Sequence, residues 1–241
     1  MLGRIEESFA VRAKSESKLR RFVADASHEL RTPLTAIRGF AELHRQGAVT
    51  GEEKTKELIG RIEKESIRMG SLVEDLLMLA RLDQGPELSK DPVDISHLIY
   101  EAAESARAAG PGHPITVAVP NELFVLGDSM RIHQAIANLL ANARTHTPAG
   151  TNIAVNAETN DGETFVTVSD DGPGLSKEDQ ERIFERFFRA DPSRKRTSGE
   201  GSGLGLAIVD AVMKAHGGSV TVASEVGKGA AFTLHFPIKK N

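Results

Sequence analysis

The sequence predicts an α+β chain in two unlike parts: an N-terminal helical hairpin that pairs with a second copy into a four-helix bundle, then an α/β sandwich with a mixed sheet. Three observations predict it. Apolar residues recur in a heptad rhythm over two long segments before residue 81. A stretch dense in turn residues, Leu82 to Pro92, then breaks the pattern. Beyond it, short strand-like and helix-like runs alternate to the end of the chain. At 241 residues the chain is also too long for one small module, and two unequal domains are the prior.

The first helical segment carries Leu2, Ile5, Phe9, Arg12, Glu16, Leu19, Val23, Ala26, Leu30, Pro33, Ile37, Phe40 and His44 in alternating steps of three and four, with Arg12, Glu16 and His44 weakening the seam. After a break at 46–51 the rhythm resumes at Ile59, Ile62, Ser66, Met69, Val73, Leu76 and Ala80. Two such helices bury one stripe each and leave the other side of each seam uncovered, so a homodimer is expected. Past the turn-rich stretch, the sequence predicts a helix over 95–108, strands at 115–119 and 123–126, and a helix over 129–145 capped by Asp128. Strands follow at 152–157 and 164–169, then a helix over 177–187 and a polar Gly/Arg/Ser loop. A helix over 204–215 and a hairpin at 219–224 and 231–236 complete the chain.

Composition excludes several classes of function. Net charge is −4, and residues 1–90 hold 16 basic and 15 acidic side chains against 14 and 19 in the remainder. Neither part has the basic excess that binding a phosphate backbone needs, and with ten Phe, one Tyr and no Trp there is little surface for stacking bases. No nucleic-acid partner is expected. The absence of cysteine removes disulfides, thiol nucleophiles and CxxC zinc sites. No apolar run approaches the roughly 18 residues of a membrane span, and the N-terminus lacks a signal-peptide core, so the chain as written reads as soluble.

His28 lies two residues from the seam positions Ala26 and Leu30, about 200° round the helix from each, and so points outward. Pro33 removes the hydrogen bond to the Glu29 carbonyl, so the helix either kinks one turn beyond His28 or restarts at Thr32-Pro33. A neutral imidazole carries a ring lone pair able to attack phosphorus, and a carboxylate taking the proton from the other nitrogen relieves the resulting charge. Asp25, one turn before, and the adjacent Glu29 are both near, with helix geometry leaning to Asp25. Thr32, one turn on, shares the face and can orient a water. The segment Ser27-His-Glu-Leu-Arg-Thr-Pro-Leu34 resembles the phospho-acceptor box of sensor histidine kinases of two-component systems. That resemblance implies His28 as the phosphorylated residue, Glu29 as general base, and Thr32 as the residue placing water in the reverse, phosphatase reaction.

The chain contains no Walker loop and no HRD or DFG signature, so another phosphate cradle must serve a kinase. Asp170-Asp-Gly-Pro-Gly174 follows a strand: its glycines admit a flat ligand, and an Asp170 carboxylate can accept from an adenine amino group, although alone it is equally a turn. Gly201-Ser-Gly-Leu-Gly205 runs into a helix whose free amides can meet phosphate. Asn138 and Asn142, four apart on one helix face, are neutral oxygen donors suited to a hydrated magnesium, or else surface asparagines. In this order, with Phe184-Glu-Arg-Phe-Phe-Arg189 and Ser224-Glu-Val-Gly-Lys-Gly229, these segments resemble the N, G1, F, G2 and terminal motifs of the Bergerat ATP-binding fold of histidine kinases.

Carried over by position, the resemblance implies that Asn138 and Asn142 hold Mg2+ and that Asp170 binds the adenine of ATP. Gly172 and Gly174 would shape its pocket, Gly201, Gly203 and Gly205 would contact phosphates, and Arg189 would face them. Residues 190–202, with Arg194, Lys195 and Arg196, would form a lid anchored by Phe184, Phe187 and Phe188, which otherwise read as the apolar stripe of a helix. Thr145 and His146 stand where relatives carry lysine and tyrosine, which passes phosphate neutralisation to Arg144 or Arg189, and Ala230 stands where a hydroxyl residue is common.

The implied organisation is a membrane-proximal signalling coiled-coil helix over 1–18 and a dimerisation and phosphotransfer hairpin over 19–84. A linker over 85–92 and an ATP-binding catalytic domain over 93–241 follow. The implied partner is the receiver domain of a response regulator, and the implied setting is the cytoplasmic portion of a membrane-anchored sensor whose membrane segments lie outside this chain, the alternative being a complete soluble protein. Two other functions fit parts of the pattern: a Bergerat-fold ATPase of another class, and a catalytically weak dimeric scaffold.

Overall fold

The structure is a computed structural model that describes residues 2–85, 88–190 and 202–237, with side chains described from residue 22 onward. The chain divides into two compact units, Met1–Leu77 and Met78–Asn241.

In the first unit, helix α1 (Leu2–Arg45) passes unbroken through a buried Pro33, so the helix does not restart there. It ends in a Schellman motif: the Gly47 amide donates to the His44 carbonyl (3.0 Å) and the Ala48 amide to that of Leu43 (3.1 Å), with Gly47 at φ +70°. Helix α2 (Glu52–Asp83) then runs back, placing the Arg61 guanidinium 6.0 Å from the centre of the Phe40 ring. The heptad reading needs one correction. Leu58 and Leu72 are buried, each one residue before the seam positions expected at Ile59 and Val73, which are 57% and 42% exposed. The helix carries two adjoining apolar stripes, and only one is covered. Val23 and Leu34 of α1 and Ile59, Ile67, Val73 and Leu77 of α2 are thus exposed apolar side chains of this unit. No helix among the described residues is long and apolar enough to cross a membrane.

The second unit begins inside the last turns of α2, where Met78, Leu79 and Leu82 are buried. Strand β1 (Asp91–Asp94) pairs antiparallel with β3 (Phe124–Gly127) as a separate two-stranded ribbon. Its first two residues, Asp91 and Pro92, fall in the stretch read as linker, and Pro92 is tolerated because a two-stranded ribbon has only edges. Helix α3 (Ile95–Ala109) is capped by Asp94, which accepts from the Ser96 amide at 3.0 Å, and α4 (Ser129–His146) by Asp128, which accepts from that of Arg131 at 3.1 Å. The remaining strands are β2 (Ile115–Ala118), β4 (Ile153–Asn160), β5 (Glu163–Asp170), β6 (Ser219–Ser224) and β7 (Ala230–Pro237). They form one sheet in the order β2-β4-β5-β7-β6, parallel only between β2 and β4.

Alternation along these strands puts Val155, Val166, Val168, Phe232 and Leu234 on one face, buried with Ile132, Ile136, Leu139 and Leu140 of α4 and with Ile208, Val212 and Met213 of α6 (Gly205–Ala215). The result is the expected two-layer sandwich with a mixed sheet. A pin closes one end of the α4–α6 pair: the Asp128 amide donates to His216 Nε2 (3.0 Å), while His216 Nδ1 bonds the Val212 carbonyl (2.8 Å). Gly127 makes room for that ring, since a Cβ there would lie 2.6 Å from His216 Cδ2.

The helix expected over 177–187 is shorter. Helix α5 (Lys177–Arg182) stops at Arg182, and Phe187 takes φ +61° with its amide bonded to the Gly203 carbonyl at 2.9 Å. A partner far along the chain thus overrides the local pattern.

Candidate nucleotide and phospho-acceptor sites

In the first unit, His28 is exposed on α1, and Glu29 and Asp25 are half-buried. Thr32 donates its hydroxyl to the His28 carbonyl at 3.3 Å, which holds this side chain on the turn that follows the histidine. This turn supplies an accessible nucleophile with carboxylates one and three residues away on the same helix.

In the second unit, α4 acts as a rail. Near its middle, Asn138 Nδ2 donates to the Gly205 carbonyl at the start of α6 (3.3 Å), and Gln134 Nε2 approaches Asn138 Oδ1 at 3.4 Å. Those partners settle which end of the amide is oxygen and leave that oxygen a second lone pair. At the C-cap of the rail, Thr147 lies so near Gly172 that a Cβ on the glycine would sit 2.5 Å from Thr147 Cγ2. Nine residues of helix separate these two points, about 14 Å, with Asn142 between them. The loop after Asp170 and the start of α6 are thereby set along one helix at a separation suited to a base at one end and a phosphate chain at the other. The N-terminus of α6 has no side-chain cap among the described residues, so its first amides are available to an anion.

The two adjacent acids at the end of β5 have different environments. Asp171 accepts from the Asn152 amide and from Asn152 Nδ2, both at 2.7 Å, and these bonds lower its pKa and anchor the loop. Asp170 is half-buried, and burial raises its pKa; amides of Gly172 (2.9 Å to Oδ1) and Ala230 oppose that rise, while the Asp171 charge adds to it. Ala230 contributes its backbone amide. The two environments differ accordingly: Asp171 is tied to Asn152, while Asp170 is half-buried and held by backbone amides. An open cleft of about 300 Å³ is lined by Asp170, Ser169, Ser224, Lys228 and Ala230 among others.

Glycine is required at two of the positions singled out. Gly174 has φ +69°, and a Cβ would meet the Glu225 carbonyl oxygen at 2.1 Å; Gly203 has φ +72° and lies 3.0 Å, by the same measure, from the Phe187 backbone. Gly201 and residues 194–196 lie outside the described residues, as does most of the segment read as a lid. Of its anchors, Phe184 packs edge-on against Phe232 with centroids 6.3 Å apart, and Phe188 lies under the Arg182 guanidinium at 4.7 Å. None of the three phenylalanines is on a helix, contrary to the stripe reading. Arg186 Nη2 donates to both oxygens of Asp83 (2.6 and 2.8 Å), joining this turn to the end of α2. Arg144 donates to the Ala109 carbonyl at 3.2 Å, and Arg189 is half-buried. Among the described residues, no three His, Asp or Glu side chains cluster to hold a metal. Cation binding would rest on neutral oxygens with a ligand's own phosphates, which fits a hydrated divalent ion bridging a nucleotide.

Two family models match the chain: the His Kinase A (phospho-acceptor) domain over residues 18–85, and the histidine kinase-, DNA gyrase B- and HSP90-like ATPase over residues 127–240. The chain is 46% identical over 239 residues to the probable sensor histidine kinase TcrY of Mycobacterium tuberculosis, covering 99% of this chain and 50% of that protein. It thus spans about half the length of the curated relatives it matches. Full-length ShkA in complex with AMPPNP is similar with a TM-score of 0.68 and 33% identity, over 92% of this chain and 46% of that one. Histidine kinase ThkA in complex with response regulator protein TrrA matches with a TM-score of 0.74 and 25% identity, over 95% of this chain and 64% of that one.

Proposed function

This chain belongs to the sensor histidine kinase family, and from that premise we propose that it phosphorylates itself on His28 with ATP and passes the phosphoryl group to an aspartate of a response-regulator receiver domain. One imidazole nitrogen of His28 bonds to the γ-phosphorus as the bond from that phosphorus to the bridging oxygen breaks, and ADP leaves. Glu29 takes the proton from the other ring nitrogen, with Asp25 as the alternative base. Thr32 positions water for the reverse phosphatase reaction.

Asp170 accepts from the adenine amino group between Gly172 and Gly174. The phosphates lie along α4 towards Gly201, Gly203 and Gly205, with Arg189 neutralising charge. Asn138 and Asn142 hold Mg2+, which when bound offsets charge on the transferred phosphate; the chain's own residues contribute positioning. The observation that carries this reading is the pairing, in one chain, of an exposed histidine on a helical hairpin with the α4 rail and its two flanking loops.

The open apolar stripe of the first unit supports a homodimer, in which a second copy covers Val23, Leu34, Ile67, Val73 and Leu77. Residues 1–18 act as a membrane-proximal signalling helix, 19–84 as the dimerisation hairpin, 85–92 as linker and 93–241 as the catalytic domain. The whole protein is a membrane-anchored sensor of which this chain is the cytoplasmic portion. The deciding experiment is transfer of label from γ-labelled ATP: the unaltered chain is expected to take up acid-labile label and His28→Gln none, and retained acid-labile label in that variant overturns the assignment.

A further inference from the structure

The Asp170 carboxylate is held by amides from two segments that local sequence does not join: Gly172, two residues on, and Ala230, across the β5–β7 ladder. Holding both at once requires that the loop 171–175 and the turn 225–229 be fixed to each other. Two backbone features begin this. The Gly227 amide donates to the Pro173 carbonyl at 2.7 Å, and Gly174 lies against the Glu225 carbonyl.

The remaining link is one hydroxyl. Ser224 Oγ accepts from the Leu175 amide (2.8 Å) and donates to the Gly229 carbonyl (2.6 Å), so a single oxygen uses its donor on one segment and an acceptor lone pair on the other. Ser224 is also the ladder partner of Ala230. Gln180 Nε2 reinforces the junction by donating towards the carbonyls of Ser224 (3.0 Å) and Leu175 (3.2 Å). Alanine at 224 would strip a partner from an amide and a carbonyl together in a part-buried setting, where unmade bonds cost most.

We propose that Ser224 is a positioning residue for nucleotide recognition: its hydroxyl locks the loop that carries Gly172 to the turn that leads into Ala230, and so aims the Asp170 carboxylate at the adenine amino group. The inference rests on the reading that Asp170 receives adenine. Ser224 touches neither the phosphates nor His28 in this scheme, so its loss acts on affinity and on base selectivity and not on the transfer step.

The test measures ATP and GTP affinity across pH 5.5–8, and autophosphorylation kinetics, for the unaltered chain and for Ser224→Ala, Ser224→Thr and Thr233→Val. The last removes a hydroxyl from the same ladder, where Thr233 and Thr167 share a bond at 3.0 Å three positions from the Asp170–Ala230 pair and make no bond to the Asp170 loop among those of the described residues. Ser224→Ala is expected to raise KM for ATP about tenfold, with kcat within about twofold, and to narrow the preference for ATP over GTP. The acid limb of its affinity profile should move to higher pH, because the amides that favour the ionised carboxylate are loosened. Ser224→Thr should restore most of the affinity, and Thr233→Val should match the unaltered chain. Where Ser224→Ala does not fold, Ser224→Cys, similar in shape but a weak donor, is expected to shift the same quantities in the same direction. Affinity and pH profile unchanged in Ser224→Ala or Ser224→Cys, while the unaltered chain binds ATP, would overturn the proposal alone. Failure of the unaltered chain to bind adenine nucleotide would instead remove the functional reading beneath it.

Discussion

Replacing Gly229 by alanine separates backbone strain from steric contact, because the same turn supplies its own control. Gly227 and Gly229 share φ +83°. At either position an L side chain pays for the left-handed conformation, about 1–2 kcal/mol. They differ in surroundings: a Cβ on Gly227 meets nothing within 4 Å, whereas one on Gly229 would lie 1.9 Å from the Asp170 carbonyl oxygen and 2.8 Å from its carbon. Those atoms are backbone in the sheet and cannot swing aside, so the overlap adds about 1–3 kcal/mol. Gly227→Ala should therefore cost about 1–2 kcal/mol, and Gly229→Ala about 2–5 kcal/mol, with the excess expressed where Asp170 is held. Urea unfolding followed by tyrosine emission reads this cleanly, since the chain has one tyrosine and no tryptophan, and Tyr100 lies on α3 in the second unit. A gap below about 0.5 kcal/mol between the two variants would refute the close approach of the terminal turn to the Asp170 backbone.

Three other outcomes are expected. Asn138→Ala loses its bond to Gly205 and, on the proposed function, a cation ligand, so magnesium-dependent ATP affinity should fall about 10- to 100-fold, read by titration calorimetry with and without chelator. Burial raises the pKa of Asp170, so ATP affinity should be full above that elevated value and fall as pH drops through it, while Asp170→Asn binds weakly with a flat profile. The same shift acts oppositely on the unliganded fold: its folded form binds this proton more tightly than the unfolded chain does, so this group's contribution to stability improves as pH falls through the raised value. Finally, Ile67→Lys combined with Leu77→Lys charges the open stripe of the first unit, and light scattering at micromolar concentration should then report a monomer in place of a dimer.

Most elements were legible because their signals are local. Asp94 and Asp128 cap the helices that follow them, and alternation along β4, β5 and β7 marks the buried face. The errors all involve distant partners. Strand β1 exists only because β3 pairs with it thirty-odd residues on, and its Pro92 reads locally as a turn. Helix α5 ends at Arg182 although the apolar pattern runs on through Phe187, whose amide is bonded to the distant Gly203 carbonyl. The heptad in α2 is real, but two apolar stripes one residue apart cannot be told from one by spacing alone until a partner covers one of them. The site followed the same rule. Asp170, Gly172 and Gly174 carry a compact signal, whereas the Ala230 amide reaches the Asp170 carboxylate, and Ser224 the loop beside it, only through the β5–β7–β6 register. Ser224 opens the terminal motif that the sequence shows, but nothing local assigns its hydroxyl to Leu175 and Gly229.

The imidazole of His216 can serve as an internal gauge. Because the Asp128 amide donates to Nε2, the proton of the neutral ring must sit on Nδ1, facing the Val212 carbonyl. Nitrogen chemical shifts distinguish that tautomer from the other and from the cation. The ring lies at the far end of the α4–α6 pair from the Asn138–Gly205 bond, one helix length of about 15 Å away. Labelling this one residue would therefore show, without any reporter in the nucleotide cleft, whether the two helices slide against each other when ligand arrives or move as a single strut.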